Sequence, residues 1–156
     1  MIIIRVVITL LLLINLTACA SLGFGNSKTE FDRLEKRAND FYHYIKVRDV
    51  ENIYNLLTPW VKAENPKDEY IGNVEAFLSH VHEYRYDYPT VVLLKDKIAI
   101  TQANYNLVLD SFEVSNCERT VWLRFPGGWY IQEPSLRCDY MPDEERIKFL
   151  TKNLPE

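Results

Sequence analysis

The chain has 156 residues, 47% of them hydrophobic and 26% charged, with 18 basic residues against 22 acidic ones. An acidic chain without Lys/Arg clusters lacks the means to neutralise phosphates, which excludes nucleic acid as a partner and gives no electrostatic hold on anionic lipid. The length fits one compact domain with a real core, and there is no internal repeat or long low-complexity segment.

The first element is the apolar run from Ile2 to Leu16, interrupted by Arg5, Thr9 and Asn15. It falls short of the about 20 consecutive apolar residues of a membrane span, and polar residues follow it at once. A basic start, an apolar middle and small residues at the end describe a secretory signal peptide. The run closes on Leu16-Thr17-Ala18-Cys19, a leucine, two small residues and a cysteine, which resembles the lipobox of bacterial lipoproteins. The resemblance implies a signal peptide over 1–18, cleavage before Cys19, and palmitate-type acyl chains on its sulfur and new amino terminus. Residues 19–28 become a lipidated tether. Each buried CH₂ contributes about 0.8 kcal/mol, and more than one chain makes anchoring stable. An aspartate after the cysteine tends to retain such proteins at an inner membrane. Ala20 stands there, so the expected location is the outer membrane, facing the periplasm. Cleavage removes only Arg5 among the charges, leaving 17 basic against 22 acidic residues and a net charge of −5.

Thr29 to about Val47 places Phe31, Leu34, Ala38, Phe41 and Ile45 on one helical face, with Thr29 and Asp32 as an N-capping pair. Asp49 opens a short second helix with Val50, Ile53, Tyr54 and Leu57 inward, stopped at Thr58-Pro59. The stretch "AENPKDEYIG" is expected to be a loop, and Asn73 to cap a third helix carrying Val74, Phe77, Leu78 and Val81. The period then changes to two. Tyr84, Tyr86, Tyr88, Thr90, Val92 and Leu94 line one side of a strand, with Arg85 and Asp87 on the other. Lys95-Asp96-Lys97 turns the chain into a second strand, Ile98 to Leu109.

A hairpin over about 117–136 follows, with Gly127-Gly128 as its two-residue turn. Cys117 lies nine residues before Pro126 and Cys138 nine after Trp129. Regular pairing therefore sets the two cysteines opposite each other, at a non-hydrogen-bonded position close enough to bridge. With Cys19 assigned to lipid, a Cys117–Cys138 disulfide accounts for all three cysteines. Pro134 fits an edge or a bulge. Val121, Leu123 and Phe125 share a face with Tyr130, while Trp122, Trp129 and Ile131 occupy the other. Both faces are apolar, so the tryptophan face needs a cover: the last helix through Ile147 and Leu150, a second copy in a homodimer, or a partner protein. That last helix opens at Pro142 with acidic residues first and basic residues last.

Helices followed by a meander of antiparallel strands give an α+β domain over 29–140, with a C-terminal helix over 141–156. The order of elements, "FYHYIKVRDVENIYNLLTP" as paired opening helices and "GGWYIQE" as closing strand together resemble the nuclear-transport-factor-2-like superfamily, which includes ketosteroid-isomerase-like enzymes. The resemblance implies N-terminal helices held in a curved sheet, a cone whose mouth takes a small apolar ligand. Tyr42, Tyr54, Trp60 and Tyr105 are the candidate pocket residues, with Asp110 as a candidate carboxylate. No Asp-Tyr-Asp set matches that of the isomerases. His80 and His82 have no third metal ligand at a recognisable spacing, His43 is unremarkable, and no phosphate loop or nucleophile triad is present, so neither metal nor cofactor is expected. The functional expectation is a non-catalytic domain on a lipid anchor, binding a small apolar ligand or an envelope protein. The alternatives are a pocket enzyme of the isomerase or dehydratase kind, which a buried carboxylate beside a tyrosine would favour, and a structural subunit assembling through Trp122, Trp129 and Ile131.

Overall fold

A computed structural model describes residues 27–152 and Leu154; the signal peptide, Cys19 and most of the tether lie outside them. The chain divides into two compact units, Met1–Asp32 and Arg33–Glu156, and the packing described below is that of the second. Five helices and five strands follow in the order α1 Ser27–Val47, α2 Val50–Asn55, α3 Pro59–Glu64, α4 Lys67–Ser79, β1 Val81–Tyr86, β2 Thr90–Lys95, β3 Ile98–Leu109, β4 Glu113–Phe125, β5 Gly128–Arg137 and α5 Glu144–Thr151. The strands form one antiparallel sheet in the order β1-β3-β4-β5, with β2 also paired to β3. This is the expected α+β architecture.

Two helix boundaries differ from expectation. Thr58-Pro59 both ends one helix and begins another, because the Thr58 hydroxyl caps Val61 N–H and Pro59 fills the first turn of α3. Helix α4 starts at Lys67, well before Asn73, with Asp68 and Glu69 favourably placed in its first turn. Charged residues across these turns hid the helical period from the sequence. The strand expected over Tyr84–Leu94 is two strands. Its path is interrupted around Pro89, and β1 and β2 both pair with β3, at residues 105–109 and 98–102. A bulge between Val91 and Leu93 turns Val92 outward.

The sheet has an apolar residue set on each face. On the inner face, Trp122, Trp129 and Ile131 join Leu34, Phe41, Tyr42 and Ile53 from the helices. On the outer face, Ile98, Ile100, Val121 and Leu123 pack against Leu150 and Leu154. The tryptophan face is thus filled by the protein's own N-terminal helices, while the C-terminal helix covers the opposite face. Trp122 and Ile131 are 0% exposed and Trp129 2%, so these three residues form core and not an interaction surface. The Trp122 indole N–H donates to Thr101 Oγ1 at 2.8 Å, which gives a buried polar group its partner. Strand β5 would leave an open edge, but Thr58 N–H donates to Ile131 O at 2.9 Å and Ile131 N–H to Leu56 O at 2.7 Å.

The closing hairpin reaches the expected disulfide by another register. Phe125 pairs with Gly128, so Pro126-Gly127 is the two-residue turn and not Gly127-Gly128. Proline followed by a glycine at φ +101° fits the central positions of a type II turn. This start is displaced from the regular register that would face Cys117 to Cys138. Two bulges on β5 correct it. One leaves Gln132 as the extra residue, and the other sets Pro134 and Ser135 against Thr120. Beyond them Glu118 pairs with Arg137, and Cys117 and Cys138 are bridged with Cα atoms 5.6 Å apart. Ser135 has φ +57°, and Pro134 occupies the bulge where no ladder N–H is required.

Candidate functional site

Alternation along β4 puts Glu118, Thr120 and Trp122 on the inner face, across from Ala103, Thr101 and Ala99 of β3. Tyr105 on β3 and Tyr84 and Tyr86 on β1 share that face, since Tyr86 pairs with Tyr105 and Tyr84 with Leu107. Helix α1 lowers Tyr42 onto this row, because residues 34, 38, 41 and 42 form its buried stripe. Tyr42 stacks on Tyr86 with centroids 5.5 Å apart, and Tyr84 stacks on Tyr105 at 5.9 Å. The result is a polar nook walled by tyrosine rings.

Glu118 is the chemically distinctive member. It is 6% exposed, and burial pushes its carboxyl above the usual carboxylate range, opposed by hydrogen bonding from Ser135 and Tyr42. Burial and the nearby Glu118 charge in turn raise the Tyr42 and Tyr84 phenols far above the ordinary tyrosine value. Tyr42, Thr120 and Glu118 are neighbours, yet the buried hydroxyls of Tyr42 and Thr120 meet no partner at good hydrogen-bonding geometry. Buried polar groups are seldom left that way. The nook therefore combines two hydroxyls that are only loosely bonded to their neighbours with a carboxyl that holds its proton more tightly than an exposed glutamate.

Of the expected pocket residues, Tyr42 and Tyr105 come together here. Tyr54 and Trp60 are held elsewhere by other work. The Tyr54 hydroxyl donates to Asn65 O at 3.2 Å, and its ring packs on Tyr70 and under Lys62. Trp60 packs edge-on against Phe125, 5.4 Å between centroids, in the outer-face core. Asp110 lies outside the nook on an exposed end of the domain, where its two oxygens face His82 Nε2 at 2.7 Å and His80 Nδ1 at 3.5 Å. The structure thus supplies both histidines with a shared carboxylate that their spacing did not reveal. Hydrogen bonding from His82 holds the Asp110 carboxyl below its usual range. Among the described residues no three His, Cys, Asp or Glu side chains are arranged to hold a metal ion. Glu118 and Thr120 were missing from the sequence expectation, although their period-two spacing from Trp122 marks a carboxylate on a buried face.

Compared by sequence, the chain matches no family model and no curated protein. Compared by structure, it resembles a proposed scytalone dehydratase of Novosphingobium aromaticivorans, with a TM-score of 0.50 at 8% identity over 73% of this chain and 96% of that one. A proposed calcium/calmodulin-dependent protein kinase II association domain of Xanthomonas campestris aligns with a TM-score of 0.48 at 17% identity, over 78% of this chain and 95% of that one. The fold is the nuclear-transport-factor-2-like cone with a short C-terminal helix.

Proposed function

We propose that this protein is a lipid-anchored envelope protein whose cone holds a small ligand in the nook of Tyr42, Thr120 and Glu118. The observation that carries the binding half is a buried cluster of the Tyr42 and Thr120 hydroxyls and the Glu118 carboxyl, in which neither hydroxyl reaches regular hydrogen-bonding geometry. A ligand that is largely apolar, to match the tyrosine walls, and carries one hydroxyl or carbonyl would satisfy them. The anchoring half rests on Leu16-Thr17-Ala18-Cys19, with acyl chains on Cys19 tethering residues 29–156 to the periplasmic side of the outer membrane. No helix among the described residues is long and apolar enough to cross a membrane.

The runner-up is a pocket enzyme of the isomerase or dehydratase kind, and one specific feature favours it: Glu118, biased towards its protonated form and facing Tyr42. Such a pair could give or take a proton at a carbonyl-bearing substrate. Native mass spectrometry of the membrane-extracted chain addresses both halves. The expected protein begins at an acylated Cys19 and retains a small molecule that Tyr42→Phe and Glu118→Gln each release. An unmodified amino terminus would remove the anchor. Wild-type protein empty of small molecules, with neither variant changing ligand uptake, would remove the pocket.

A further inference from the structure

The outer face of the sheet is only half covered. Where α5 lies, it is apolar; beyond that, towards the β1 side, the same face is polar and open. Arg85, Asn106 and Ser115 form one row across β1, β3 and β4. Asp87, Asn104 and Cys117 form the next, joined by the Asp87 N–H to Asn104 O bond at 2.9 Å and by the Asn104–Cys117 pairing. Together they line an open groove of about 670 Å³, within the size range of small-ligand clefts.

The composition of these rows runs against strand preference. Asparagine and aspartate are depleted from strands, where long or β-branched side chains cover the pleat better. A local choice that conflicts with its element is expected at functional sites. The groove also holds no uncommitted cation among its lining residues. Arg85 is engaged by both oxygens of Glu83 at 2.6 Å, and Asp87 accepts from Asn104 Nδ2 at 3.1 Å. Asn106 donates to Glu113, and its Oδ1 is buried without a partner in the floor of the groove. Tyr88, 59% exposed, follows Asp87 directly in the chain.

We propose that this groove binds a neutral oligosaccharide. Hydroxyls both donate and accept, which suits a lining of amides, a serine hydroxyl and a carboxylate; an anion would need an uncommitted cation. A peptide adding itself as a strand would lie beside the terminal strand β1 and not across these rows, whose amides stand on the interior strand β3. A second copy of the chain would want an apolar centre to its interface, which these rows lack. The proposal is independent of the cone ligand, since Asn104 and Asn106 point away from the face that carries Glu118.

Titration of the full chain in detergent with chitotriose and with maltotriose tests it. Saturable, salt-independent binding of at least one trisaccharide is expected, and Asn104→Ala and Asn106→Ala should each weaken it about tenfold or more. Tyr42→Phe should leave that affinity unchanged, and all three variants should keep the far-UV dichroism of the wild type. Three results overturn the proposal: no saturation by either sugar up to about 10 mM, binding that Tyr42→Phe abolishes while both asparagine variants keep it, or a stable dimer in solution that Asn104→Arg dissociates.

Discussion

Glu118 shows how one residue couples stability to acidity. Its carboxyl is raised by burial, so over the interval between its unfolded and folded pKa values the native state holds a proton that the unfolded chain has released. Stability from this group is complete below the ordinary glutamate range and declines as pH rises through the folded value. Glu118→Gln keeps the shape and a donor but cannot ionise. In denaturant unfolding from about pH 4 to about pH 8, the variant should flatten that decline and gain most over wild type at the alkaline end. An equal offset at every pH would show that Glu118 does not titrate in this window. The residue was legible in principle, because a carboxylate two and four positions from a buried threonine and tryptophan on one strand must itself face inward. What the sequence could not show was Tyr42 descending onto it from α1, seventy-six residues earlier.

At the scale of elements, α5 is the lid of a second core. Leu150 is 3% exposed and packs with Ile98, Ile100, Val121 and Leu123, Asp143 caps the helix by accepting from Arg146 N–H at 2.7 Å, and Arg146 forms an ion pair with Glu133 of β5. Leu150→Ala should cost about 2–4 kcal/mol of unfolding free energy and increase dye binding to exposed apolar surface. A loss under about 0.5 kcal/mol would mean that α5 only rests on the sheet. The existence of this helix was plain from Pro142 and its graded charges, and the hairpin's two apolar faces were plain from alternation. Which helix covers which face was not, because periodicity reports that a face is buried and not by what. Likewise α3 went unseen because a capping threonine before proline serves equally as a stop and as a start.

For the whole domain, the Cys117–Cys138 bridge ties an interior strand to the segment leading into α5, across a separation of 21 residues. Replacing both cysteines with serine should lower stability by about 3 kcal/mol, mainly by freeing the unfolded chain, and non-reducing peptide mapping should recover the linked pair from wild type. Two free thiols in protein from an oxidising compartment would contradict the bridge. The pairing was legible because the cysteines end up facing each other, although the route there passes through a displaced turn and two bulges that a register count from the glycines does not contain.

Those bulges give β5 a property of their own. The strand is two residues longer than the partner stretch it covers, and the covalent bond at its far end fixes where that surplus must be absorbed. Losing Gln132 would close the first bulge and leave Glu133 opposite Val121 and Cys138 near Cys117, whereas losing a paired residue such as Leu136 would displace the register that the bridge requires. Losing one residue from each bulge would give an unbroken ladder with the same partners. The disulfide thus acts as a gauge of register, and the edge of this sheet admits changes in residue number at its bulges and not between them.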